Sequence, residues 1–391
     1  MQLNKIKLHS CTTFASAQSQ ITLDDDYNVP DYRPDIVKVL KEKGELQFDE
    51  VKAAAGAAWL KGRLVFKVLY RSDQDNAKIS CLKGEIPFQE KLNMDGVQEY
   101  DVIQASGEIE DLTIGVIHSR KISVRAVILL KAEEPREKED ELCVGIEADD
   151  GCEKRYRNTN ILQLLCMKRD QCRQKSEITL PSSKPNVQEI LWKSLEIRNL
   201  DTKMGQDGVK LSGEVLISVL YQEEEETDRV QWYETVIPLD CGVECDAGAE
   251  ADIIYKVKAG PASMELEVKP DYDGEERVLV LELVMNLDIR VWKEQEISML
   301  EDVYSLKKEI IPVCTGVTLH HISVKNDSQC RLTEQMELAE SQEKILQICS
   351  CEGTVHLENT ELTGQGVRAE GILVTELLYI TTDDQMPIGS A

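Results

Sequence analysis

Apolar and polar positions alternate with a period of two along most of this chain, the pattern of strands half buried against a core. The clearest run is Gly62 to Tyr70, where Leu64, Phe66 and Val68 alternate with Val65, Lys67 and Leu69, and it recurs as Gly213 to Tyr221 and Gly371 to Tyr379. Each copy opens on glycine and closes on tyrosine, and the copies lie 151 and 158 residues apart. Intervals of that length are domain-sized and too long for solenoid units, so the chain reads as one β-rich domain written three times. Val278 to Val284 is a nearly continuous apolar run suited to a central strand, and Asp95-Gly96, Asp207-Gly208 and Asp273-Gly274 supply turns. The expected fold is mainly β: tandem β-sandwich or open-barrel domains, each with at most one or two short helices.

The flanks extend the match. Arg33 to Leu40 corresponds to Lys184 to Leu191, and the prolines Pro34 and Pro185 predict a brief helix over each stretch. The third copy lacks this proline but keeps Glu343 to Leu346. Ile21 to Leu23, Ile178 to Leu180 and Met336 to Leu338 read as a short shared strand, with earlier leading strands at Leu3 to His9, Asn160 to Met167 and Gly316 to Ser323. Downstream, Ile86 to Phe88 and Ile237 to Leu239 lie 16 residues past their tyrosines, and the third equivalent would fall beyond Ala391. The closing strands of the first copy, Val102 to Ala105, Leu112 to Ile117 and Ile122 to Leu130, have no third counterpart, so the third domain is expected to be incomplete and the natural protein longer. The expected division is repeat 1 over 1–132, an acidic linker over 133–154, repeat 2 over 155–298 and an incomplete repeat 3 over 299–391. Within the linker, Glu133 to Glu141 reads as a solvated connector.

Composition narrows the function. With 42% hydrophobic and 30% charged residues the chain is globular, and its 391 residues allow two or three cores. A net charge of -27 argues against nucleic acid or an anionic membrane as partner. No signal peptide or apolar membrane span is present, which places the protein in the cytoplasm, where its 12 scattered cysteines are expected to be reduced thiols without a disulfide framework.

Candidate chemistry is sparse. Cys349 and Cys351 with His356, Cys241 with Cys245, and Cys166 with Cys172 are close groups that lack a second half at zinc spacing; Cys349 and Cys351 would share one strand face. His320 and His321 would point to opposite faces of a strand. No hydrolase elbow, metalloprotease helix or phosphate loop occurs. Glu223 to Glu226 follows Tyr221 without the alternation of a calcium loop and reads as a solvated loop. Gly62, Gly213 and Gly371 would permit a turn or bulge, Tyr70, Tyr221 and Tyr379 would bury their rings, and Pro87 and Pro238 suit an edge strand; all read as parts of the fold. No catalytic, cofactor-binding or metal residue is assigned, and no cofactor is expected. Tandem copies favour a binding or assembly protein, because catalysis needs one asymmetric constellation of groups.

Lys184 to Leu191, the Gly213 to Tyr221 strand and Ile237 to Leu239, with Gly62 to Tyr70, Gly84 to Phe88 and Ser123 to Ala126 in the first copy, resemble the SPOCS domain of clostridial SipL-type spore-coat morphogenetic proteins. The resemblance implies a non-enzymatic scaffold or adaptor in spore-coat or spore-envelope assembly, working through multivalent protein contacts in the mother-cell cytoplasm and recruited to the forespore surface. It implies as partner the coat's basement-layer ATPase or other coat proteins, with no nucleic acid and no membrane insertion. In the family the ATPase contact is made largely by a C-terminal LysM module, which this chain lacks, so the chain is expected to be truncated C-terminally. A carbohydrate-binding β-sandwich array is the first alternative, but it calls for an exposed aromatic platform on each copy, and Trp59, Trp192, Trp232 and Trp292 share no repeat position. A carboxylate-dependent hydrolase is the second, and it requires paired acids in a cleft.

Overall fold

A computed structural model describes residues 2–72, 79–147, 152–224, 229–245, 253–307, 309–322, 330–339, 342, 344–364, 366–382 and 388–391. Every regular element among them is a strand. The first copy contains β1 (Gln2–Asn28), β2 (Ile36–Ala54), β3 (Ala57–Ser72), β4 (Ile79–Asn93), β5 (Gln104–His118) and β6 (Lys121–Glu147). The second contains β7 (Cys152–Thr179), β8 (Val187–Met204), β9 (Gly208–Glu223), β10 (Val230–Glu244), β11 (Ile253–Pro270) and β12 (Glu276–Ser305). The third contains β13 (Ile345–Thr363), β14 (Gly366–Thr381) and β15 (Ile388–Ser390). They form five antiparallel three-stranded sheets, ordered β1-β6-β5, β2-β3-β4, β11-β12-β7, β10-β9-β8 and β13-β14-β15.

In the first copy, Leu60, Leu64, Phe66 and Val68 of β3 share one core with Ile122, Val124, Ile128 and Leu130 of β6, so the two sheets make a sandwich. In the second, Leu211, Val215, Ile217 and Val219 of β9 do the same with Leu279, Leu281, Leu283 and Ile289 of β12. The third copy has the sheet equivalent to β2-β3-β4 and no facing sheet among the described residues. Leu64 is 0% exposed, whereas its third-copy counterpart Leu373 is 50% exposed.

Three features recur at equivalent positions. First, β2, β8 and β13 each carry three bulges, which insert Val37, Leu40 and Asp49, then Gln188, Leu191 and the pair Asn199-Leu200, then Leu346, Cys349 and Glu358. Each single-residue bulge turns one extra side chain out of the regular alternation, and the Asn199-Leu200 bulge adds two residues. Second, the shared glycine lies against the strand that carries the third bulge. A Cβ on Gly62 or Gly371 would run into the carbonyl of Gln47 or His356, and one on Gly213 would lie 3.0 Å from the Arg198 carbonyl. Third, the shared tyrosines are fully buried, and the hydroxyls of Tyr70 and Tyr221 donate to the carbonyls of Pro34 and Pro185 at 3.0 and 3.3 Å. Burial, with Glu223 adding to it, pushes the Tyr221 hydroxyl up to about 12.

Several expectations need correction. The stretches Pro34 to Leu40 and Pro185 to Leu191 form no helix; from Ile36 and Val187 onward they open β2 and β8. Pairing with β3 and β9, together with the tyrosine bond to each proline carbonyl, overrides the local helix signal. The connector expected at Glu133 to Glu141 is the second half of β6, paired residue by residue with β1; its acids meet basic partners there, Lys5 with Glu141 and Lys7 with Glu139 at 2.7 Å each. Glu134 is buried and held by Arg136. Gly316 to Ile322 forms no strand, and Ser323 lies outside the described residues. Met336 to Leu338 forms no strand either, and Met336 is exposed. Their counterparts β1 and β7 are held by β6 and β12, and the third copy has no such partner strand among the described residues. Instead Val317 and Leu319 pack beside Leu8, Leu142 and Ile161, and the His320 carbonyl accepts from the Leu162 amide at 3.0 Å. Pro87 and Pro238 lie on the edge strands β4 and β10 as expected, and Gly208 turns from β8 into β9 with a φ of 139°.

Candidate functional site: the junction of the three copies

Alternation points the residue before each shared tyrosine away from its own sandwich core. Those residues, Leu69, Leu220 and Leu378, meet in one buried cluster with Leu40 and Leu191, both bulge residues, and with Ile79 and Ile388 at the starts of β4 and β15. Val230, the matching first residue of β10, packs against the same cluster. The three equivalent sheets are therefore joined through equivalent residues. The bulges make this possible by adding Leu40, Leu191 and the buried Cys349 to the faces that converge.

Polar contacts differ at each seam. Between the first and second copies, Arg33 grips Glu189 with two hydrogen bonds of 2.9 and 2.6 Å. Between the second and third, Trp232 Nε1 donates to the Cys349 carbonyl at 2.7 Å. Between the third and first, the buried Lys41 ammonium lies 3.4 Å from Glu352 and 3.3 Å from Glu376, and Lys43 lies 3.0 Å from Glu352. Lys41 also stands 5.8 Å from the ring centroid of Trp192, so this one cation touches all three copies.

The row of residues opposed across each sheet shows how far the copies have diverged. In the first copy it is Lys43, Lys67 and Lys83; in the second, Ser194, Ser218 and Glu234; in the third, Glu352 and Glu376. Like charges directly opposite each other destabilise a sheet. The third-copy acids are offset by Lys41 and Lys43. Burial works against ionisation of Glu352, but Lys43 and Lys41, with hydrogen bonds from Lys43 and Ser194, outweigh it and hold its carboxyl below the usual range. Glu42, next to Lys41 in sequence, is pushed up to about 7 by burial, although the Ile114 amide donates to it at 3.0 Å.

The residues singled out in the sequence fall as follows. Cys349 is buried and Cys351 exposed, because the bulge at Cys349 breaks the alternation that would have given them one face. Cys172 and Cys241, expected as free thiols, form a disulfide between β7 and β10 with Cα atoms 6.2 Å apart. Their separation of 69 residues concealed a pairing that only the facing of two sheets creates. Cys166 of β7 and Cys245, one residue past the end of β10, approach to 3.3 Å. Among the described residues no three histidine, cysteine or acidic side chains gather where they could hold a metal. Glu223 is buried at the end of β9 and accepts from Gln231 at 2.9 Å, so the acidic run does not begin as a solvated loop; Glu225 and Glu226 lie outside the described residues. Trp192 and Trp232 are committed to the junction and form no exposed platform. No helix among the described residues is long and apolar enough to cross a membrane.

The model of the family described as SipL, SPOCS domain, matches residues 35–117 and 186–269. The two matched segments begin at the openings of β2 and β8 and extend through β5 and nearly to the end of β11. Each therefore covers the junction sheet with its bulges, glycine and tyrosine. Neither a curated protein nor a solved structure matches the chain.

Proposed function

We propose that this SipL-like SPOCS-domain protein is a non-enzymatic scaffold or adaptor in spore-coat or spore-envelope assembly. It acts in the mother-cell cytoplasm at the forespore surface, through several protein contacts made at once. The observation that carries the reading is the family match over two copies whose sheets are locked together at one junction. Copies joined beside one another raise the effective concentration of weak contacts, which suits a protein recruited to a growing shell. The basement-layer ATPase of the coat, or other coat proteins, are the proposed partners.

Neither alternative gains from the geometry. The junction tryptophans are unavailable for stacking on a sugar, and Trp59 stands alone as a 39% exposed indole beside Lys91. Glu352 and Glu376, which oppose each other on β13 and β14, both lie within ion-pair distance of Lys41.

A fluorescent fusion followed through sporulation of the source organism tests the proposal. Accumulation around the forespore is expected, with coat attachment defective when the gene is deleted. A signal that stays diffuse throughout would overturn it.

A further inference from the structure

Charge balance explains the third-copy row but not the first. Lys43 is taken by Glu352, whereas Lys67 and Lys83 enter no ion pair among the described residues despite standing directly opposite each other on β3 and β4. Lys193 of β8 joins them from the second copy. Its one hydrogen bond among the described residues is a long one, 3.5 Å, to the Leu266 carbonyl. Burial lowers the proton affinity of Lys193, and Lys67 and Lys83 lower it further, against a weaker pull from Glu265 and Glu45. Three ammonium groups thus crowd one seam of a chain whose net charge is -27.

Two adjoining clefts open at this seam and share Lys67 and Lys193. The narrower, about 60 Å³, adds Lys83 and is floored by Leu191 and Trp192. The wider, about 510 Å³, is walled by Leu46, Val65, Leu195 and Met264, with Glu45 and Glu265 on its lining.

We propose that this seam is a recognition site for an acidic, partly apolar peptide segment of a partner protein. Carboxylates of the segment meet Lys67, Lys83 and Lys193, and its apolar side chains lie on Leu46, Val65, Leu195 and Met264. A free phosphate would use the charge and leave the apolar wall wet, so the mixed lining favours a peptide. The acidic remainder of the surface repels such a segment and directs it to this seam. Only the first copy offers the row, since the equivalent positions are Ser194, Ser218 and Glu234 in the second and Glu352 and Glu376 in the third. The inference rests on reading the chain as a binding protein and names the chemistry of one partner. It is tested on purified protein, so its failure would leave the sporulation reading standing.

The experiment measures binding of a fluorescent peptide of alternating Glu and Leu to the full chain, beside a peptide with Gln in place of Glu. Binding of the acidic peptide is expected to weaken as salt is raised. The variant carrying Lys67→Gln, Lys83→Gln and Lys193→Gln is expected to bind about tenfold more weakly, the sum of three partly exposed charge contacts. The matching Lys→Arg variant should retain binding, and the salt titration needs no variant if the Gln protein fails to fold. Equal binding of the Gln peptide, or undiminished binding by a folded Gln variant, would overturn the proposal. So would displacement of the peptide by inorganic phosphate at matched ionic strength, which would make the site one for small anions.

Discussion

The first and third copies share a strand framework and differ in what that framework touches. In both, the shared tyrosine is fully buried and the residue before it enters the common junction. Yet the inner face of β3 is sealed by β6, whereas the inner face of β14 leaves Leu373 half exposed. The opposed row is basic in one and acidic in the other, and the acids of the third meet Lys41 and Lys43 of the first. The third sheet is thus held chiefly from its junction side. Identical backbones bearing opposite charges dock in one order, because the wrong order would bring like charges together.

Removing the cation that links all three copies should have the largest effect. Lys41→Met leaves Glu376 without its cation and Glu352 with Lys43 alone, a loss of up to about 3 kcal/mol once the exposure of Glu376 is allowed for. It is expected to speed hydrogen exchange in β13 and β14 while β3 and β6 keep their protection. Equal acceleration in both copies would show that they do not differ in this way.

Reversing the charge of one partner is the next step down. Glu352→Lys places a third cation beside Lys41 and Lys43 and should cost about 2 kcal/mol in urea unfolding, of which adding Lys43→Glu should restore roughly 1 kcal/mol. Additive costs would mean that the half-buried pair contributes no coupling.

The smallest expected effect is a dependence on pH. Burial raises Glu42 from 4.5 to about 7, so the unfolded chain ionises this group first and stability falls as pH rises across that window. Glu42→Gln should therefore leave stability unchanged at acid pH and raise it by up to about 1 kcal/mol above neutrality, allowing for the half-exposed site. Glu352 has the opposite sign: its lowered value adds stability above the usual carboxylate range, lost as pH falls through that value. Melting curves of Glu42→Gln and the parent that stay parallel at every pH would count against the assignment.

Much of the framework was legible in the sequence. Period-two alternation gave the strands, Asp207-Gly208 gave a turn, and Pro87 and Pro238 gave edge positions. Long-range partners reversed other expectations. Proline signals for helices at Pro34 and Pro185 yielded to strand pairing, and the acidic stretch after Glu133 became a strand through its pairing with β1, where Lys5 and Lys7 meet Glu141 and Glu139. The strand expected at Gly316 pairs with no strand among the described residues. The disulfide and the junction were invisible, since residues far apart in the chain carry no mark of which sheet will face them.

The sequence by itself determined that one β unit recurs three times, because alternation, glycine and tyrosine spacing are local properties that survive in each copy. Only the tertiary structure decided that the copies converge on shared faces. That outcome depends on bulges that redirect Leu40, Leu191 and Cys349, and on pairing Lys41 and Lys43 with acids some 300 residues away. Such contacts arise from the geometry of facing sheets, which no run of neighbouring residues encodes.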